Sequence, residues 1–229
     1  MKKLLLASAV ALAVSGGVQA SEHSGTYAFD TKGSHQFITF KISHLGYSWL
    51  YGRFNDFDGE FVYDAQNPAN SSVEVAVDTS SVDSNHAERD KHLRSEDFLY
   101  VDEFPEATFK SKRVVVDDEG EADIVGDLTL RGVTKEVTLD VEMLGHGDDP
   151  WGGYRMGFEA ETEFKLTDFG IPMDLGKASE TVEMIISDEG IRQKKLSKCR
   201  LQILVRRRQC SFLQIHTLNW PVCCSSSLA

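Results

Sequence analysis

The chain has 229 residues, with 36 Asp and Glu against 24 Lys and Arg, a formal net charge of −12 and four cysteines. From Ser21 to Gly190 the imbalance is steeper: 36 acids face 14 Lys and Arg, a net of −22. A body this negative repels phosphate backbones and anionic lipid surfaces, which excludes nucleic acid and acidic bilayers as partners.

In chain order, Met1-Lys2-Lys3 gives a positive start and Leu4 to Val14 an apolar run interrupted by Ser8. Val18-Gln19-Ala20 has the small-x-small form that a signal peptidase accepts. The pattern predicts a signal peptide over residues 1–20. The run falls short of the roughly 20 residues that span a bilayer, and no cysteine follows the cleavage point for lipid attachment. A mature body without a stable membrane anchor is expected, folding as one domain over residues 21–194.

Within that body the prevailing period is two, the mark of strands with one buried face. Strands are predicted at Thr26–Phe29, around Ile38, Phe40 and Ile42, at Phe54–Tyr63, and around Val73, Val75 and Val77. Further strands are predicted at Thr108–Val116, Ala122–Leu130, Glu136–Met143, Phe158–Leu166 and Thr181–Ser187, separated by turn sequences such as Asp118-Glu119-Gly120 and Arg131-Gly132. One segment breaks the period. Ser84 or Asn85 can cap a helix from His86 to about Phe98, expected to cover one end or edge of the sheet. Eight or nine strands with regular turns make an all-β fold, and barrel and sandwich both fit.

After Ile191 the text changes. Residues 195–229 carry no acid, hold all four cysteines (Cys199, Cys210, Cys223, Cys224) and include Arg206-Arg207-Arg208. Sign of charge, cysteine use and periodicity change together. The expected reading is a frame-shifted or read-through segment without structure; a basic, thiol-bearing appendage is the other reading.

Catalytic patterns are weak. His86 and His92 are six apart, not the i, i+4 spacing of a helical metal pair. There is no Gly-x-Ser-x-Gly elbow, and the body has no cysteine nucleophile. The expectation is no enzyme, no metal and no cofactor. The alternatives kept are a metal-dependent or stress-responsive hydrolase using the histidines, and an interaction domain whose core is solid.

The segment His44-Leu45-Gly46-Tyr47-Ser48-Trp49-Leu50-Tyr51-Gly52 is followed in order by Asn85 to Ser95, Phe104-Pro105-Glu106-Ala107-Thr108-Phe109, Gly126 to Lys135 and Gly147 to Gly153. Together these motifs resemble the YceI-like family. The resemblance implies a lipocalin-like antiparallel β-barrel of about eight strands with one helix near an end. It further implies a periplasmic protein that holds a long-chain isoprenoid lipid, polyprenyl or ubiquinone-like, in the lumen without catalysis. A homodimer is compatible with it. By inward alternation the lumen candidates are Phe40, Ile42, Phe61, Val75, Leu139, Val141, Phe158, Phe164, Met184 and Ile186. Trp49, Tyr51 and Phe54 are expected at the entrance, since their apolar bodies and, for the first two, polar tips suit a cavity mouth. Arg53, Arg89, His92 and Arg94 are the candidates for a head group, as cations are scarce and these lie near the helix motif.

Overall fold

In the computed structural model the described residues are 23–33, 35–117 and 121–194. The predicted signal peptide and the basic tail therefore lie outside the described residues, apart from Lys194.

Eleven strands alternate inward and outward residues: β1 (Gly25–Phe29), β2 (Phe37–His44), β3 (Ser48–Phe54), β4 (Phe57–Tyr63), β5 (Ser72–Asp78) and β6 (Val82–Asp83) precede helix α1 (Ala87–Arg94). After it come β7 (Glu106–Val116), β8 (Ala122–Leu130), β9 (Val133–Asp148), β10 (Tyr154–Lys165) and β11 (Thr181–Arg192). Every pairing is antiparallel, and β11 returns to β1 to close the sheet.

The registers reduce eleven strands to eight staves. Along β11, Val182 to Ser187 pair with Ile42 to Phe37, and Gly190 to Arg192 pair with Phe29 to Tyr27. Thus β1 and β2 are one stave interrupted by residues 30–36. The next stave is β3 followed by β4, broken at Asn55 and Asp56, because Phe54 faces Ile38 while Glu60 faces Ala28. The third is β5 followed by β6, broken by the short 3-10 turn Thr79–Ser81. From β7 onward the staves are unbroken. The fold is a closed eight-strand antiparallel barrel in simple up-and-down order, and closure removes the sheet edges that would otherwise pair with other chains.

Where β6 ends, the chain leaves the wall and forms α1. His86, not Ser84 or Asn85, caps the helix: its Nδ1 accepts the Arg89 backbone N–H at 3.3 Å. Asn85 instead takes a left-handed backbone, φ 61°, a conformation that Asn tolerates better than most residues. The helix stops at Arg94 rather than near Phe98, because Ser95 folds back onto the His92 carbonyl and Phe98 and Leu99 turn into the core.

Two packed clusters occupy the barrel. One lies at the helix end, around Phe40, Val82, Phe98, Leu99, Phe169 and Ile171. The other gathers Tyr27, Phe61, Tyr154 and Met156, with the Tyr27 and Phe61 rings stacked at 4.8 Å. The described residues through Gln193 belong to one compact unit.

Candidate ligand-binding cavity

Between the clusters the inner faces stay apart. They enclose a cavity of about 690 Å³, within the roughly 300–1,000 Å³ usual for ligand pockets. The interior is not packed solid, which removes the interaction-domain reading.

All ten residues predicted to face the lumen line this cavity: Phe40, Ile42, Phe61, Val75, Leu139, Val141, Phe158, Phe164, Met184 and Ile186. Phe54 lines it too. Two residues before it on the same face, β3 has a glycine, Gly52, opposite Phe40, and a Cβ there would fall 2.2 Å from the Phe40 ring. The missing side chain lets that ring lie across β3.

Trp49 and Tyr51 are corrected. They point outward from β3, 58% and 54% exposed, and do not line the cavity. Lys41 on β2 meets Trp49 on the outer face: its Nζ sits 4.6 Å over the Trp49 ring and 2.7 Å from the Glu183 carboxylate. Large rings on the outer face hid the period of β3 in the sequence; the inner residues are Leu50, Gly52 and Phe54. Arg53 is corrected as well, since it stands outside, 3.9 Å from Asp83. Arg94 is a tether, its guanidinium donating to the Ser80 and Val82 carbonyls at 2.7 and 2.6 Å. Arg89 and His92 do reach the cavity, at the helix end. Arg89 also donates to the Ser84 hydroxyl and carbonyl, at 2.7 and 2.5 Å, and His92 lies 2.9 Å from Asp97.

Asp90 anchors this corner. Buried, it accepts the Ser84 backbone N–H at 2.7 Å and the Ser84 hydroxyl. Burial pushes its pKa up, but the Ser84 hydrogen bonds and the nearby Arg94 charge outweigh it, and the net shift is downward. Replacing Asp90 by Ala leaves the Ser84 N–H without its acceptor. We expect a loss of about 2 kcal/mol and a melting temperature lower by about 4–8 °C, read by thermal denaturation. An unchanged melting temperature would show that the corner holds without this carboxylate.

Sequence reasoning missed several lining residues. Phe29 and Phe57 sit at the ends of short strands where period two has little room to show. Ile171, Met173 and Leu175 alternate along a short coil between Phe169 and Lys177, outside the segments read as strands. The most consequential omission is Asp188. On β11 it continues the inward series Val182, Met184, Ile186, and it lines the cavity at 9% exposure. Its Oδ1 accepts the Glu189 N–H at 2.6 Å, and its Oδ2 has no partner. Burial pushes the carboxyl up to about 7; the Glu189 N–H opposes that, and the negative charges of Glu189, Asp30 and Asp58 add to it.

Among the described residues no group of three His, Cys, Asp or Glu side chains is placed to hold a metal ion, and no helix is long and apolar enough to cross a membrane. His146 and His23 both hydrogen-bond the Tyr154 hydroxyl, the former at 2.7 Å.

Comparison with known proteins places this architecture. Residues 27–189 match the YceI-like domain. The chain is 56% identical to Protein YceI of Shigella flexneri over 195 residues, 85% of this chain and all of that one. The crystal structure of a Campylobacter jejuni YceI protein superposes with a TM-score of 0.60 at 27% identity, covering 67% of this chain and 91% of that chain. A polyisoprenoid binding domain from Saccharophagus degradans shares the fold with a TM-score of 0.54 at 16% identity, covering 75% of this chain and all of the other. With the domain match running from the first stave to the last, and more than half of its residues shared with a full-length relative, the chain belongs to the YceI-like family.

Proposed function

We propose that this protein is a periplasmic carrier that binds a long-chain isoprenoid lipid, polyprenyl or ubiquinone-like, inside the barrel, and is not an enzyme. The observation that carries the reading is the 690 Å³ cavity, whose wall is built from aliphatic and aromatic side chains of all eight staves. Burying a hydrocarbon gains about 0.8 kcal/mol per methylene, so even after the cost of ordering a flexible chain a long apolar ligand is retained by shape and burial alone. The polyisoprenoid-binding domain of Saccharophagus degradans, built on the same fold, supports this choice of ligand. Arg89, a cation, and His92, a hydrogen-bonding imidazole, line the cavity at the helix end and are the candidates to meet an anionic head group. The acidic exterior would keep a loaded carrier off anionic bilayers.

The test is to express the whole chain, isolate the periplasmic fraction, and extract the purified protein with organic solvent for mass spectrometry. Isoprenoid lipid near one molecule per barrel is expected. Leu139→Trp, which projects an indole into the lumen, should cut that load at least tenfold, whereas Thr138→Trp on the outer face of the same strand should leave it unchanged. Protein that comes out empty and takes up no added polyprenyl lipid defeats the carrier reading.

A further inference from the structure

The wall of the cavity is hydrocarbon along most of its length, with one acidic exception. Asp188 lies six residues beyond Val182 of the helix-end cluster, roughly 20 Å along β11. It sits where β11 changes partner: Ser187 is the last residue paired to β2, and Gly190 is the next paired to β1. On that side the two residues between face the interruption at 30–36, where the Asp30 N–H donates to the Glu189 carbonyl at 3.1 Å; on the other side they pair with Phe158 and Gly157 of β10. Two residues on, Gly190 lacks the Cβ that would strike Phe61 and Tyr27, so the aromatic cluster closes directly beyond Asp188. A second buried oxygen without a partner, Gln36 Oε1, belongs to the same interruption, and Gln36 stands one residue before the Phe37–Ser187 pair.

Leaving a buried polar atom unpaired carries its full desolvation cost. An unpaired oxygen that lines a ligand cavity is most simply explained as one whose partner arrives with the ligand. We propose that Asp188, as the neutral acid, donates a hydrogen bond from Oδ2 to a carbonyl oxygen of the bound lipid, so that the cavity selects an isoprenoid with a neutral carbonyl-bearing end seated against β11. This rests on the carrier reading and narrows it. The surroundings oppose an anion at the same place. Glu189 on the same strand, Asp30 after β1 and Asp58 on β4 are all acids that act on Asp188. The Arg155 guanidinium on β10, which binds the adjacent Glu189, is committed to Asp30, Glu189 and Asp149, and His35 lies against Glu189. The two ends of the lumen therefore sort ligands by head group: among the described residues that line it, a phosphate finds a guanidinium at Arg89, and a carbonyl finds a donor at Asp188.

The acid donates only while protonated. With its pKa near 7, the contact is present below that value and lost as pH rises through it.

The experiment uses delipidated full-length protein, with farnesylacetone and the hydrocarbon bearing a methylene in place of its carbonyl as probes. Each is partitioned from detergent micelles and quantified by mass. Wild type, Asp188→Leu and Asp188→Asn are compared at pH 6 and pH 9. At pH 6 the ketone-to-hydrocarbon affinity ratio of wild type should exceed that of Asp188→Leu about tenfold. At pH 9 the wild-type ratio should collapse to the leucine value, while Asp188→Asn, whose amide is a donor at any pH, should keep a high ratio throughout. The infrared C=O band of ¹³C-labelled ketone should move to lower frequency in the same samples that show the preference. A ratio in Asp188→Leu equal to wild type, with both proteins still binding the hydrocarbon, overturns the assignment and leaves the carrier reading standing. Failure of all three proteins to take up either probe overturns both.

Discussion

Arg155→Ala should destabilise the barrel by about 2–3 kcal/mol at neutral pH, with urea unfolding monitored by tryptophan fluorescence as the measurement. Arg155 on β10 reaches three acids that belong to three different parts of the wall. Its Nη1 lies 2.6 Å from Asp30, where the first stave breaks, and 2.6 Å from Glu189 on β11; its Nε lies 3.0 Å from Asp149 in the turn between β9 and β10. It also stacks over Trp151 at 5.2 Å. Removing one partner from a fully buried ion pair costs about 3–5 kcal/mol, and the expected value is lower because 20% of the Arg155 side chain meets water. The sign with pH follows from the acids. Burial pushes Asp30 up, but the hydrogen bond and charge of Arg155 bring it below its ordinary value. Asp149 is held down first by the Gly153 N–H, and then by Arg155 against its burial. Carboxyls with depressed folded pKa values add stability above the unfolded value of about 3.9, and lose it as pH falls through the folded value. The gap between Arg155→Ala and wild type should therefore be full at pH 7 and shrink in strong acid. A variant within about 0.5 kcal/mol of wild type at pH 7, the range of ordinary surface changes, would mean that solvent already screens these pairs.

The barrel was readable because one face of nearly every strand is apolar, and a shift of one residue would expose the whole inner set. Val182, Met184 and Ile186 carry that pattern clearly, as do Val137, Leu139, Val141 and Met143, and all of them line the cavity. The pattern fails where side-chain chemistry departs from orientation. On β3 the largest rings, Trp49 and Tyr51, lie outside, Trp49 under Lys41, while the inner position between Leu50 and Phe54 is a glycine. A reading keyed to hydrophobicity places those rings at a cavity mouth. The breaks in the first three staves were also invisible: Asn55 and Asp56 fall within the segment read as one strand, Phe54–Tyr63, and nothing in Thr79–Ser81 shows that a wall resumes after it. The register shows that the same wall continues on either side of them. Among the cations, sequence proximity to the helix could not separate Arg89, which lines the cavity, from Arg94, which is spent on two carbonyls. Asp188 was hidden most completely. In Ser187-Asp188-Glu189-Gly190 it reads as part of an acidic turn, and only the extension of β11 to Arg192 turns it inward.

That inward turn has a consequence for stability independent of any ligand. Asp188→Asn should raise stability at pH 8 and leave it nearly unchanged at pH 4. An acid whose folded pKa is raised favours folding while protonated: its contribution is complete below the unfolded value near 3.9, declines as pH rises, and is gone once pH passes the folded value of about 7. The displacement is about 3 pH units, which corresponds to about 4 kcal/mol between the two limits. Asn keeps the Oδ1 that accepts the Glu189 N–H and cannot ionise, so it escapes that decline. In melting experiments the gain at pH 8 amounts to about 8–16 °C, and the fall of wild-type stability between pH 4 and 7 should flatten in the variant. This window is distinct from that of Asp30 and Asp149, whose losses fall below the ordinary carboxylate range. Equal melting temperatures for the two proteins at pH 8 would show that Asp188 is charged at little cost, with water or a neighbouring group supplying what its Oδ2 lacks. In that case it would have no proton to offer a carbonyl at neutral pH. The stability measurement thus bears on ligand selection without any ligand present: a carboxyl that strains the empty barrel when ionised is one that holds its proton at neutral pH, as a donor to the lumen must.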